Sequence, residues 1–177
     1  MSTPSPQTPE LTRRESVVVD ADPDTVWRLV TSIERTGEWS PVCTACAWEE
    51  PDDGPEVGAW FTGRNEHAGR VWETRSQVVA AEPGRAFAWL VGGAFVRWGY
   101  ELAPVAGDPA RTELTETWEF LPEGLAMFAD KYGDDADAQV ADRAAQAHAG
   151  IPATLAALAR VAAAERGASA PATDRPG

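Results

Sequence analysis

The residues best placed to do chemistry sit on one strand-like stretch, RTELTETWEF at 111 to 120. Its period of two puts Leu114, Glu116, Trp118 and Phe120 on one face and Glu113, Thr115, Thr117 and Glu119 on the other. The first set must be the covered one, which leaves Glu116 as a carboxyl among aromatics. Desolvation raises the pKa of such a group toward neutrality, the range in which it works as a general acid or base. Glu116 is therefore the candidate catalytic residue, with Tyr100 or His67 available to polarise a carbonyl. A structural role is open as well, because an arginine or a strand hydroxyl paired with Glu116 would satisfy the same burial. His148 falls on an apolar helical stripe, where a hydrogen-bonded core histidine is the commoner role than a general base.

Cys43 and Cys46 form a C-x-x-C, a spacing that invites a redox or zinc reading. The residues that follow, Ala47-Trp48-Glu49-Glu50-Pro51, look like a strand running into a loop and not like the helix N-terminus that activates a thioredoxin-like thiol. On a regular strand, a spacing of three places the two side chains on opposite faces. Zinc would need two more ligands, and His67 and His148 are the chain's two histidines. Neither a metal nor any other cofactor is expected.

The elements that would position Glu116 lie between Val57 and Phe120, a stretch holding five of the eight tryptophans. VGAWFTGRNEH, VWETRSQVVAA, RAFAWLVGG with FVRWGYELAP, and RTELTETWEF alternate apolar and polar residues between short Gly/Pro connections. Such tight connections join antiparallel strands. Parity turns Phe61, Gly63, Asn65 and His67 inward on the first of these, and Trp72, Thr74, Ser76 and Val78 on the second. It does the same for Phe87, Trp89 and Val91, and for Trp98, Tyr100 and Leu102. The inward set is aromatic yet contains Asn65, His67, Thr74, Ser76 and Glu116, and each buried polar group left unpaired costs about 1 to 3 kcal/mol. That mixture is the composition of a small-molecule cavity, with Phe61, Trp72, Trp89, Trp98 and Trp118 as walls and Asn65, Tyr100 and Glu116 as orienting groups.

Ahead of this stretch, RESVVVD at 14 to 20 reads as a first strand. Asp22-Pro23-Asp24-Thr25 starts a short amphipathic helix on which Val26, Leu29, Val30 and Ile33 recur, with Gly37 as its terminator. Trp39 before Ser40-Pro41 is either a plug closing the core or a wall of the site. Beyond Pro122 the chain turns helical. Val140, Ala144, His148, Ile151, Leu155, Leu158 and Ala162 make one narrow stripe, interrupted by Pro152, where a kink or a restart is expected.

The chain has 177 residues, which suggests one domain, from 13 to 166, between disordered tails at 1 to 12 and 167 to 177 that are rich in Pro, Ser, Thr and Ala. A formal charge of -13 argues against nucleic acid and against anionic membrane surfaces. Much of the acidity sits at 49 to 56 and 130 to 142, two stretches that read as solvated loops. No apolar run approaches the roughly 20 residues of a membrane span, and no signal-peptide pattern opens the chain, so the expectation is a soluble, cytoplasmic protein without stable membrane insertion. There is no Gly-rich phosphate loop and no nucleophile elbow. Nothing in these patterns sets the oligomeric state.

A strand, a short helix pair, a six-stranded meander and a long C-terminal helix resemble the START-like, or SRPBCC, superfamily with its α+β helix-grip fold. GEWSP, VGAWFTGRN, the W-x-T-x-S-x-V-V from Trp72 to Val79, AAEPGRAFAW, RTELTETWEF and ATLAAL are similar to its polyketide cyclase/dehydrase and lipid-transport branch. The resemblance implies a deep cavity between a curved sheet and the long helix that takes up a hydrophobic molecule such as a lipid, quinone or polyketide. It transfers no universal catalytic residue. Two activities are consistent with it: binding and presentation of the ligand, or a cyclase/dehydratase reaction using a buried carboxylate. A partner-binding module acting through the acidic surface explains the charge but not the polar interior.

Overall fold

Asp22 stops the first strand and starts the first helix, and its side chain shows how. In the computed structural model, which describes residues 9–50 and 52–169, the Asp22 carboxylate accepts from the Thr25 amide at 3.0 Å and from the Thr25 hydroxyl at 2.8 Å. Those bonds satisfy an orphan donor of the first turn and hold the Asp22 carboxyl below its usual pKa. Helix α1 (Pro23–Thr31) follows, pinned to the sheet by the Trp27 indole, which donates to the Ala86 carbonyl at 3.0 Å. It ends at Thr31, earlier than the expected Gly37. Ser32 caps it, and Gly37 lies inside a separate 3-10 turn, Ile33–Glu38.

Seven strands form one antiparallel sheet: β1 (Thr12–Val19), β2 (Cys43–Trp48), β3 (Trp60–His67), β4 (Arg70–Glu82), β5 (Ala86–Val91), β6 (Val96–Val105) and β7 (Asp108–Phe120). Their spatial order is β1-β7-β6-β5-β4-β3-β2, so β2 to β7 are a meander and β1 closes its far edge by pairing with β7. Register shifts interrupt the β2/β3, β4/β5 and β6/β7 ladders. Each such irregularity bends its strand and adds twist, which curls the sheet into a trough.

The trough is covered by helix α3 (Ala136–Ser169), reached through α2 (Pro122–Tyr132) and a 3-10 turn at Gly133–Asp135. The acidic stretch at 130 to 142 is thus the end of one helix and the start of the next, not a loop. Its aspartates suit a helix N-terminus, where the macrodipole favours negative charge. α3 lies across β1 and β7 and buries Val140, Ala144, Ile151, Leu155, Leu158 and Ala162, the stripe expected from spacing. It runs through Pro152 without a restart. The proline stands on the exposed side of the helix. The helical run Pro122–Ala168 is long and apolar enough by composition to cross a bilayer, yet its apolar stripe is turned onto the sheet, as in a core helix. Residues 1–8 and 170–177, most of the expected tails, lie outside the described residues. Of the remainder, Leu11 packs against the core, Thr12 pairs with Glu119, and the last turns of α3 reach Ser169.

Candidate functional site

Between the trough and α3 lies a cavity of about 610 Å³. Its floor is the inward face of β3 to β7, and the alternation read from sequence decides which residues line it. Phe61 and Asn65 on β3, Trp72, Thr74 and Ser76 on β4, Trp89 on β5, Trp98 and Tyr100 on β6, and Glu116 and Trp118 on β7 all face it. The aromatic rings form two braced groups, one around Trp89 and one around Trp118. Phe61 meets Trp89 edge-on at 6.0 Å between centroids, Trp89 meets Tyr100 at 5.9 Å, and Trp98 meets Trp118 at 6.4 Å. Contacts of this kind add about 0.5 to 1.5 kcal/mol each beyond the area they bury, so the wall is stiff.

Two predicted site residues are not brought into the cavity. His67 shares the parity of Phe61 and Asn65, but it is the last residue of β3, paired with Arg70 beside the hairpin, and is exposed. Parity names the face of a strand and not how far along it the cover extends. His148 also stays off the lining: its ring packs edge-on against Trp118 at 5.8 Å, and its Nε2 is buried without a partner.

Among the described residues Glu116 has no arginine and no strand hydroxyl to neutralise it. It is 4% exposed, its Oε2 has no hydrogen-bond partner, and desolvation alone pushes its pKa well above the ordinary carboxylate range. The shift favours the protonated carboxyl, the form that can donate. Tyr100 is its direct cross-strand partner. Burial raises the phenol, the Glu116 charge raises it further, and a hydrogen bond from the Trp39 side chain opposes both. Two proton-bearing groups therefore stand side by side in an aromatic chamber. Asn65 and Thr74 make a second polar point, the Asn65 amide donating to the Thr74 hydroxyl at 3.3 Å.

On the helix side of the cavity sequence reasoning missed Arg143 and Thr154. Arg143, Ala147, Gly150 and Thr154 face it from α3, spaced four, three and four. Each stands one residue before a member of the buried stripe, about 100° around the helix. The signal was present as a run of small side chains beside the apolar stripe. Trp39 proves to be both plug and wall, being 4% exposed and on the lining. At the mouth Trp72 lies between Arg70 and Arg143, whose guanidinium carbons stand 4.8 and 5.2 Å from its ring centroid.

The cysteine pair also departs from expectation. Cys43 opposes Asn65, whereas Ala45 opposes Arg64, so Thr44 is an extra residue bulged out of β2. The bulge cancels one step of alternation and turns both cysteines to the same side, on the cavity lining, with their sulfurs 3.2 Å apart. Among the described residues no group of three or more His, Cys, Asp or Glu side chains is placed to hold a metal ion.

The geometry has known counterparts. A family model described as polyketide cyclase/dehydrase and lipid transport matches residues 11–163. The solution structure of a Polyketide_cyc-like protein from Corynebacterium glutamicum is 45% identical, with a TM-score of 0.64 over 92% of this chain and 97% of that one. The Zhui aromatase/cyclase from Streptomyces sp. R1128 has the same fold at 22% identity, with a TM-score of 0.59 over 90% of this chain and 96% of its own. No curated protein matches the sequence.

Proposed function

Because the chain belongs to the polyketide cyclase/dehydrase and lipid transport family, we propose that it binds a hydrophobic or aromatic small molecule in the cavity between the sheet and α3. The observation that carries this reading is the cavity itself, whose 610 Å³ falls within the range of about 300 to 1,000 Å³ usual for small-molecule sites. Its aromatic walls supply apolar area, while Asn65, Tyr100 and Glu116 supply direction. A flat, polycyclic or long-chain ligand with one or two oxygen functions suits this lining.

The test is quenching of tryptophan fluorescence by a panel of fatty acids, quinones, sterols and aromatic polyketides. Saturable quenching by one class, weakened in Trp98→Ala, is the expected result. A flat response to every member of the panel would refute the reading.

A second reading is supported by one specific feature, the unpartnered Oε2 of Glu116. In a cyclase/dehydratase reaction a protonated Glu116 donates to a ligand carbonyl or departing hydroxyl, and its carboxylate then takes a proton from carbon, with Tyr100 polarising the oxygen. Glu116→Gln retains the shape and removes the exchangeable proton. On a ligand found by the quenching assay, loss of turnover with retained binding supports catalysis; unchanged turnover excludes Glu116 as the acid or base.

A further inference from the structure

The bulge at Thr44 does more than turn two side chains. It stacks Cys43 and Cys46 with their sulfurs 3.2 Å apart, both free and both partly buried. The opposite strand makes room for them. Cys46 pairs with Gly63, and a Cβ placed at Gly63 would stand 3.5 Å from the Cys43 sulfur and 3.6 Å from that of Cys46. The tightest neighbour of that Cβ is the Thr74 hydroxyl at 3.1 Å, so a side chain at this position crowds Thr74 first and meets both sulfurs at ordinary contact distance. The Ser40 hydroxyl accepts from the Cys43 amide at 2.9 Å and fixes the start of the strand.

We propose that Cys43 and Cys46 are a reversible dithiol/disulfide pair in the cavity wall, oxidised by exchange with a small disulfide such as oxidised glutathione. The two thiols are not equivalent. The hydrogen bond between the two sulfurs lowers the pKa of Cys46, and the same bond together with burial raises that of Cys43. Cys46 is the attacking thiolate and Cys43 the resolving one. Cys46 displaces one glutathione thiolate and becomes a mixed disulfide. Cys43 then loses its proton and attacks the Cys46 sulfur, releasing the second glutathione. Two electrons pass from the protein to the oxidant, and two protons accompany the two glutathione thiols formed. The cavity is the route by which the small disulfide reaches the pair, since both cysteines line it. The proposal stands whether or not the cavity takes a hydrophobic ligand.

The full chain is equilibrated in glutathione buffers of graded oxidation, quenched in acid, blocked with N-ethylmaleimide and digested with trypsin. Cleavage after Arg35 and Arg64 leaves both cysteines in one peptide. Wild type is expected to give that peptide two hydrogens lighter and unblocked as oxidation rises, and to return to the doubly blocked form with dithiothreitol. Cys43→Ser is expected to retain glutathione on Cys46, and Cys46→Ser to acquire it on the order of tenfold more slowly. Two blocked thiols at every buffer ratio, two separate glutathione adducts in the wild type, or equal rates in the two variants would overturn the proposal.

Discussion

One helix covers two unlike halves of the same sheet. Where α3 crosses β1 and β7 the interface is filled: Ile151 and Leu158 of the helix and Leu114 of β7 are each 0% exposed. About 100° around the same helix, Ala147, Gly150 and Thr154 face β3 to β6 across an open chamber. The chamber has small residues on the helix and large, mutually braced aromatics on the sheet, and the brace keeps the walls from collapsing into the gap. The packed half holds the fold together and leaves the open half free to be shaped for a ligand.

The largest effect that would break this division is expected from Leu158→Ala. Removing a fully buried leucine from the filled half costs about 2 to 5 kcal/mol, measured by urea denaturation, with ligand quenching unchanged in the fraction that stays folded. A loss below about 1 kcal/mol would show that this half is not tightly packed. Ala147→Leu probes the other half. Extra methylenes enter empty space, so stability changes by less than about 1.5 kcal/mol while ligand affinity falls at least about tenfold. Comparable losses of stability from the two variants would erase the distinction.

Glu116 sharpens the comparison through pH. Its folded pKa lies above the ordinary 4.5, so between those two values the folded state holds a proton that the unfolded state has lost. Stability from this group is full below about 4.5 and falls as pH rises toward the folded pKa, by up to about 1.4 kcal/mol per pH unit. Glu116→Gln removes that slope, so the variant gains on the wild type as pH rises. Parallel stability curves for the two proteins from pH 5 upward would mean that Glu116 is solvated or paired. The smallest effect belongs to neither half: Arg14→Ala, which removes an exposed ion pair with Glu101, changes stability by less than about 1 kcal/mol and leaves binding untouched.

Much of the sheet was legible because a period of two is unambiguous when one face is covered. The inward sets Trp98, Tyr100, Leu102 and Leu114, Glu116, Trp118, Phe120 are all buried or on the lining. The bulge at Thr44 was not legible, since no residue type marks an inserted step, and a single insertion reverses every side chain beyond it. The aspartates at 134 to 142 look like a solvated loop and also suit the start of a helix, and composition does not separate the two. Pro152 removes one intrahelical hydrogen bond and crowds the His148 carbonyl, yet the buried stripe of Ile151, Leu155 and Leu158 carries α3 through it. Pairing and extent, not residue type, decided the placement of His67 and of the two cysteines.

The central claim is that the open half is a ligand chamber, and a heteronuclear NMR titration with the best quencher from the panel tests it most directly. The account predicts saturable amide shifts at Phe61, Asn65, Trp89, Tyr100, Glu116 and Ala147, with Val19, Leu158 and Ala162 of the filled half unmoved. Shifts confined to the exposed acidic segments, or spread evenly through both halves, would contradict it.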